Sequence, residues 1–541
     1  MSIKNRLFSG INSLCLFLFV FLFPMNLNAQ KTWSYAIGFE EIHIPGLPGL
    51  HSYAYAQHNG KWLVVGGRKD GIHARQPFNA FPESQGNADI YVIDVASRQF
   101  WVAPLNVLPA GIFEQLQSTN INFYQDSDTL YLIGGYGFSQ TAGGYITFPN
   151  LTSIQVSSVV NAVINGLPFN NYFKQMADSV FAVTGGGLGK IGDSFVLAGG
   201  QRFDGRYNPM GHPSYVQKYT NQVSFFELNN HNALPGFSNY SALADPIHLR
   251  RRDYNLLPRI FPDGTKGYII SSGVFQVNAD LPFFHPVEIT NSAIKPRTDF
   301  NQYLSNYHTA KASFFNSGSH EMNYLFFGGI GYYFYRNDTL YQDSLLPFVN
   351  TISRLNCKAD GSFQEFQLPF EMPDFNTTGA EFILNHDLPH TERDIILLDE
   401  IQADTCIAGY VLGGIGSPLS NPFSFNQTSE TSASEVIYAV KLYRNDSVDE
   451  QEIKGDNPYA CALKYDVENN IVTALFELRD VVPVNYFVST EAGIIIDEGE
   501  LHNLTSGRNE HEFTAMMGPK MLMITLVFDH RFFVTNQLMI K

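Results

Sequence analysis

The chain has 541 residues, 44% of them hydrophobic, with 34 basic against 51 acidic side chains and a formal charge of −17. So acidic a chain lacks the basic footprint that phosphate backbones demand, which argues against a nucleic-acid partner. Its length lets it bury large cores without disulfide staples.

In chain order, Lys4 and Arg6 come first, then the apolar run Leu14 to Phe23, then Asn26-Leu27-Asn28-Ala29 before Gln30. A basic start, an apolar core and a small exit residue predict a secretory signal peptide over residues 1–29, cleaved near Ala29. The run is shorter than the roughly 20 residues of a membrane span. Leu14 before Cys15 does not make a lipoprotein box. Removal of these 29 residues leaves 512 and takes away Lys4 and Arg6, so the formal charge becomes −19. Cys357, Cys406 and Cys461 remain; three thiols cannot all pair, and their spacing matches no zinc pattern. No later apolar run can span a bilayer. The expected location is therefore secreted or outer-membrane surface, with no transmembrane anchor.

From there one phrase recurs, an apolar strand ending in two small residues. It stands as Trp62-Leu63-Val64-Val65-Gly66-Gly67, Leu130-Tyr131-Leu132-Ile133-Gly134-Gly135 and Phe195-Val196-Leu197-Ala198-Gly199-Gly200. A degraded copy is Tyr268-Ile269-Ile270-Ser271-Ser272-Gly273, followed by Tyr324-Leu325-Phe326-Phe327-Gly328-Gly329 and Gly409-Tyr410-Val411-Leu412-Gly413-Gly414. The intervals between copies are 68, 65, 73, 56 and 85 residues. A constant strand with uneven spacing is what loop insertion into a fixed repeat produces. The apolar run suits a strand buried on both faces, and the glycines allow positive φ where it ends. Polar turns at 58–61, 125–128, 262–265 and 316–319 separate the phrase from a preceding strand, so each copy reads as a hairpin. A further strand follows, as in Asp89 to Asp94 running on to Phe100-Trp101, in Gln222 to Leu228 and in Glu435 to Leu442. Helical periodicity is scarce, so the body is expected to be all-β.

An apolar tetrad, Gly-Gly, a variable loop, an aromatic strand with Asp and then Trp resembles the kelch motif. The first copy carries it through Gly66, Gly67, Tyr91, Asp94 and Trp101, and the resemblance covers about residues 35 to 445. It implies a six-bladed kelch-like β-propeller over residues 30–465.

The last segment, 466–541, reads as a small antiparallel β-sandwich of short apolar strands and turns. It resembles the C-terminal sorting domain of type IX secretion substrates of Bacteroidota, through Gly493, Leu504 and Gly507 before His511-Glu512-Phe513, and the closing Thr535 to Lys541. The Pro-Asn-Pro element frequent at the start of that family is missing at Val482-Pro483-Val484-Asn485. The resemblance implies the type IX secretion machinery as a partner.

Signatures of catalysis are scarce. Gly185-Gly186-Gly187-Leu188-Gly189-Lys190-Ile191 has Thr184 where a phosphate loop needs glycine, and Ile191 where it needs Ser or Thr. It reads as a glycine-rich inner strand. No Gly-x-Ser-x-Gly elbow and no His-Glu-x-x-His helix occurs. No copper arrangement of Cys, Tyr and His is recognisable, so neither metal ligands nor a cofactor are assigned. In the kelch family, binding residues cluster at strand entries and just after the glycine pairs. The matching positions are Arg251, Arg252, Asp253 and Tyr254, then Tyr307 and His308, at entries, and Arg68, Asp70, Tyr136, Gln201, Arg202, Asp204 and Tyr332 after glycine pairs. Arginine with aromatics at one mouth suits a glycan, a small anionic ligand or a protein partner. Two readings follow: a non-catalytic binding or interaction module, and a carbohydrate-active enzyme of the sugar-epimerase or glycan-processing type. Aromatic loops at Phe78 to Phe81 and Tyr332 to Tyr335 would suit an adhesin.

Overall fold

A computed structural model describes residues 33–208, 214–229, 235–304, 306–336, 339–445, 448–514 and 520–540. The predicted signal peptide and Lys541 lie outside them. The fold is all-β: 42 strands and two short α-helices among the described residues. No helix among them is long and apolar enough to cross a membrane, and Cys357, Cys406 and Cys461 are all free.

Six larger sheets, antiparallel except for one parallel pairing in the fifth, carry most of residues 35–453, with four smaller sheets of two or three strands beside them among the described residues. Each larger sheet is built outward from a hairpin whose second strand is the recurring phrase. In the first sheet Ala54–His58 pairs with Lys61–Val65, followed by Asp89–Asp94 and Gln99–Pro104. The second to fourth begin at Asn122–Asp126, Gly187–Ile191 and Asn255–Ile260; in the fifth the corresponding hairpin strand is Ala310–Asn316, which also takes Ile395–Leu397 in parallel on its other edge. The sixth runs Glu381–Leu384, Thr405–Leu412, Ile437–Arg444 and lastly Tyr35–Ile42. This outer strand comes from the start of the described chain and pairs through eight residues with Ile437–Arg444. Innermost strands of successive sheets lie side by side, from the first to the sixth. Tyr55 of the first donates its hydroxyl to the Phe382 carbonyl of the sixth at 3.1 Å.

The apolar tetrads are buried on both faces, as their sequence requires: Leu63, Val64, Val65, Leu130, Leu132 and Ile133 are all inaccessible to solvent. Both small residues of every copy adopt positive φ, and in the degraded fourth copy Ser272 takes 62° where the others have glycine. At Gly134 an added Cβ would stand 1.7 Å from the Val183 carbonyl oxygen, so sterics as well as φ exclude a side chain. Gly185 to Ile191, the false phosphate loop, contributes the innermost strand of the third sheet. A Cβ at Gly189 would meet the Tyr268 ring at 2.3 Å, so the glycine lets the fourth sheet pack close.

A second regularity is not visible in the sequence. The residue two places before each innermost strand, Ser52, Asn120, Gly185, Asp253, His308 and Gly379, is left-handed, with φ between 51° and 74°. Ser, Asn, Asp, His and Gly are types that tolerate this region. Their amides link the sheets: Asn120 donates to Ser52, Gly185 to Asn120, Asp253 to Gly185, Gly379 to His308 and Ser52 to Gly379, at 2.7–3.3 Å. Between the fourth and fifth sheets the Asn255 side chain makes the connection, donating to Asn306 and accepting from the Thr309 amide.

The helices Ala110–Leu116 and Val156–Ile164 were not expected. Val156, Val159, Val160 and Val163 have the i, i+3, i+4, i+7 spacing of a helix and all enter the core shared by the first two sheets. Their β-branching disguises the pattern as strand. Asp128 caps this helix from outside, accepting from the Ser157 amide and hydroxyl at 2.8 and 2.6 Å.

Beyond Gln451–Ile453, which edges the fifth sheet, two further sheets share one core. One contains Cys461–Asp466, Ile471–Leu478 and Gly507–Thr514; the other contains Val484–Thr490, Ile495–Glu500, Lys520–Phe528 and Phe532–Ile540. Cys461–Asp466, most of which the sequence reading left with the repeats, pairs with Ile471–Leu478. Its alternating half-buried and exposed residues fit a two-layer packing rather than a strand buried on both faces. This C-terminal unit rests on the loops that lead into and connect the strands of the fourth sheet, through Phe487, Val527 and Phe533 against Ile247 and Phe283.

Candidate functional site

Where the innermost strands begin and the glycine pairs end, all six sheets contribute to a cavity of about 380 Å³. Its floor is the left-handed set: Ser52, Asn120, Gly185, Asp253 and His308 also line a second cavity of about 240 Å³ running between the innermost strands beneath.

Two guanidinium groups sit in the wall, each held by a carboxylate. Arg68 donates from Nε and Nη2 to the two Asp70 oxygens at 2.8 and 2.6 Å and lies over the Phe81 ring at 5.1 Å. His51 braces the pair, its Nε2 3.7 Å from Asp70 Oδ1. Burial alone would raise the Asp70 carboxyl, but His51 and Arg68 outweigh it and hold it below the ordinary carboxylate value. Arg252 donates from Nη1 to Asp253 Oδ2 at 2.8 Å and lies 5.0 Å from the Phe275 ring centre. Its Nε is buried without a hydrogen-bond partner. Burial opposes the Arg252 charge, yet neighbouring Asp253 more than compensates and the guanidinium stays firmly protonated.

Aromatic rings complete the wall. His73 packs between Phe81, Tyr207 and Phe423 with ring centres 4.6–5.3 Å apart. This enclosure pushes its imidazole down to about 4, so it is neutral at pH 7. Burial likewise lowers His51 and His308 and raises the hydroxyl of Tyr307.

No protein-family model matches the chain, and no curated protein does either. Among solved structures, that of YjhT aligns over 76% of this chain and 99% of its own, at 10% identity and a TM-score of 0.41.

Of the residues singled out in the sequence, Arg68, Tyr136, Arg252, Asp253, Tyr307 and His308 line the larger cavity, and Asp70 stands behind Arg68. Four others, Arg251, Tyr254, Arg202 and Asp204, are held elsewhere by their hydrogen bonds. Arg251 is fully buried, donating to the His248 and Ser272 carbonyls at 2.7 and 2.9 Å. Tyr254 donates to the Ala198 carbonyl at 2.5 Å and lines the lower cavity. Arg202 binds Asp204 at 2.6 Å with its side chain 54% exposed. Strand alternation explains the last case: in Gln201–Gly205 the inward positions are Gln201 and Phe203, and both reach the cavity. His73, Phe81 and Tyr207 come from the long insertions after the first and third glycine pairs. Insertion length was the available signal, but a length does not say which residues fold inward. In the predicted adhesin patch, Phe78 is 70% exposed while Phe81 turns into the cavity wall.

The lining suits recognition of a small polar molecule. Aromatic faces take the apolar side of a ring, Asn120, Gln201 and Asn421 offer amides, and unused guanidinium N–H groups offer charged donors.

Proposed function

We propose that the protein is a six-bladed kelch-like propeller that binds a small polar ligand, a sugar or sugar acid, at one mouth without transforming it. The observation that carries this reading is the 380 Å³ cavity assembled from all six sheets, aromatic-walled and bearing Arg68 and Arg252. Its size falls in the range of small-molecule sites. The chain of inter-sheet hydrogen bonds supports a closed ring, and the pairing of Tyr35–Ile42 with Ile437–Arg444 supports closure by strands from both ends of the repeat region. Binding is favoured over acid–base chemistry because Asp70 and Asp253 are already engaged by arginine, and His73 is held neutral by its enclosure. The two-sheet C-terminal unit acts, in this proposal, as a type IX sorting domain, and residues 1–29 as the export signal.

A glycan and sugar-acid binding screen on residues 30–541, followed by calorimetry, tests the mouth. Arg252→Ala should weaken binding by roughly 10- to 100-fold, the usual worth of a hydrogen bond to a charged group. Unchanged affinity in that variant would remove the mouth from consideration, and turnover of the bound sugar would replace binding with catalysis.

A further inference from the structure

On the far side of the channel from the larger cavity, the loop after the innermost strand Glu381–Leu384 carries His386, His390 and Asp394. One ligand atom from each lies within 4.8 Å of the other two. The two imidazoles stack with centres 4.6 Å apart and planes only 10° from parallel. His390 Nδ1 lies 2.7 Å from the Leu388 carbonyl, which accepts its proton. That bond fixes the tautomer and leaves the Nε2 lone pair outward, the arrangement that orients metal-ligating histidines. His386 Nε2 stands 3.0 Å from Asp394 Oδ1 and 3.3 Å from the Gln57 side-chain nitrogen, so it already faces the carboxylate across a gap that a cation could enter. The loop is pinned at both ends. The Asn385 amide donates to Ala408 and its side chain to Ile407, while Thr391 pairs with Ile395 and Leu397 with Pro389.

We propose that His386, His390 and Asp394 bind a divalent cation of borderline softness, with zinc as the reference. Two imidazoles and a carboxylate are a donor set that suits zinc and its transition-metal neighbours better than magnesium or calcium, which prefer all-oxygen shells. Zinc–nitrogen bonds of about 2.0–2.1 Å require the three ligand atoms to draw together. His386 and Asp394 are 43% and 52% exposed, and binding exchanges their mutual hydrogen bond for bonds to the metal. On binding, His386 carries its proton on Nδ1 and turns its Nε2 lone pair to the metal. Three protein ligands leave a fourth position for water or a ligand group, as in open rather than purely structural zinc sites. Asp394 also lines the 240 Å³ channel cavity, so the cation would stand at the second mouth.

The test is titration of tag-free, metal-stripped residues 30–541 with zinc by calorimetry and with cobalt by visible spectroscopy. One equivalent should bind, with the d–d absorption of nitrogen- and oxygen-ligated cobalt. His386→Ala and His390→Ala should each weaken zinc by roughly 100-fold or more, since even outer-shell losses cost 10- to 100-fold. Glu392→Gln, which removes a carboxylate of the same loop paired with Lys266, should leave binding unchanged. The metal-free melting curves of both histidine variants should overlay the parent's. Absence of saturable binding in the parent protein, or zinc affinity retained in both histidine variants, overturns the proposal.

Discussion

Deletion of residues 33–42 is expected to prevent the protein from folding stably. Trp33, Tyr35, Ile37 and Ile42 are 1–7% exposed, and Trp33 meets Phe314 of the fifth sheet edge-on at 5.3 Å. Each buried side chain of this kind contributes about 1.5–3 kcal/mol, so the four together contribute roughly 6–12 kcal/mol. That is comparable to the net stability of a whole domain, about 5–15 kcal/mol. The deletion also strips eight residues of pairing from Ile437–Arg444 and leaves it an open edge, which invites aggregation. Thermal melts followed by circular dichroism, with light scattering, should show loss of the cooperative transition. A truncated protein melting within a few degrees of the parent would show that this strand is an accessory.

Acidification should loosen the C-terminal unit. His248 and His285 are buried at the junction, Nδ1 of the first 2.8 Å from Nε2 of the second. His248 Nε2 reaches the Thr535 hydroxyl of the C-terminal unit at 2.8 Å, and Arg251 Nη2 lies 3.2 Å from His285. Burial depresses both imidazoles below their ordinary 6.5; Asp245 partly opposes this at His248, while Arg251 adds to it at both. The folded protein therefore refuses protons that the unfolded chain accepts. Stability from this junction is complete above pH 6.5 and falls as the pH drops below it, by up to about 1.4 kcal/mol per pH unit for each histidine. Limited proteolysis of the connection at residues 454–460 should accelerate between pH 7 and pH 5. In His285→Phe that acceleration should be reduced. An acid response identical in parent and variant would place the pH sensitivity elsewhere.

Much of the repeat region was legible because its strands announce themselves. Six apolar runs closed by small residues predicted the second strand of each hairpin, and four polar turns predicted hairpins that form as read. The valine helix was missed because β-branched residues at helical spacing satisfy both templates over so short a window. The left-handed residues before the innermost strands could not be read off, since Ser52, Asn120, Asp253 and His308 share no residue type, only a place in the sheet. The cavity was half legible for a similar reason. Strand-entry and post-glycine positions found Arg68, Arg252, Asp253, Tyr307 and His308. One-residue alternation sent Arg202 outward and Gln201 inward, and backbone carbonyls in the core claimed Arg251. His386, His390 and Asp394 are evenly spaced along the chain, but only a pinned loop makes them neighbours.

The account rests on the sheets joining edge to edge around a channel, and amide exchange at the strand entries tests that most directly. The amides of Ser52, Asn120, Gly185, Asp253 and Gly379 each donate to the preceding sheet, Ser52 reaching back to the sixth. Peptides covering them should be protected together and should open only in large cooperative steps. If the Ser52 amide, which donates to the Gly379 carbonyl, exchanged as fast as free loop amides while the strand cores stayed protected, the first and sixth sheets would not be joined and no shared mouth would exist.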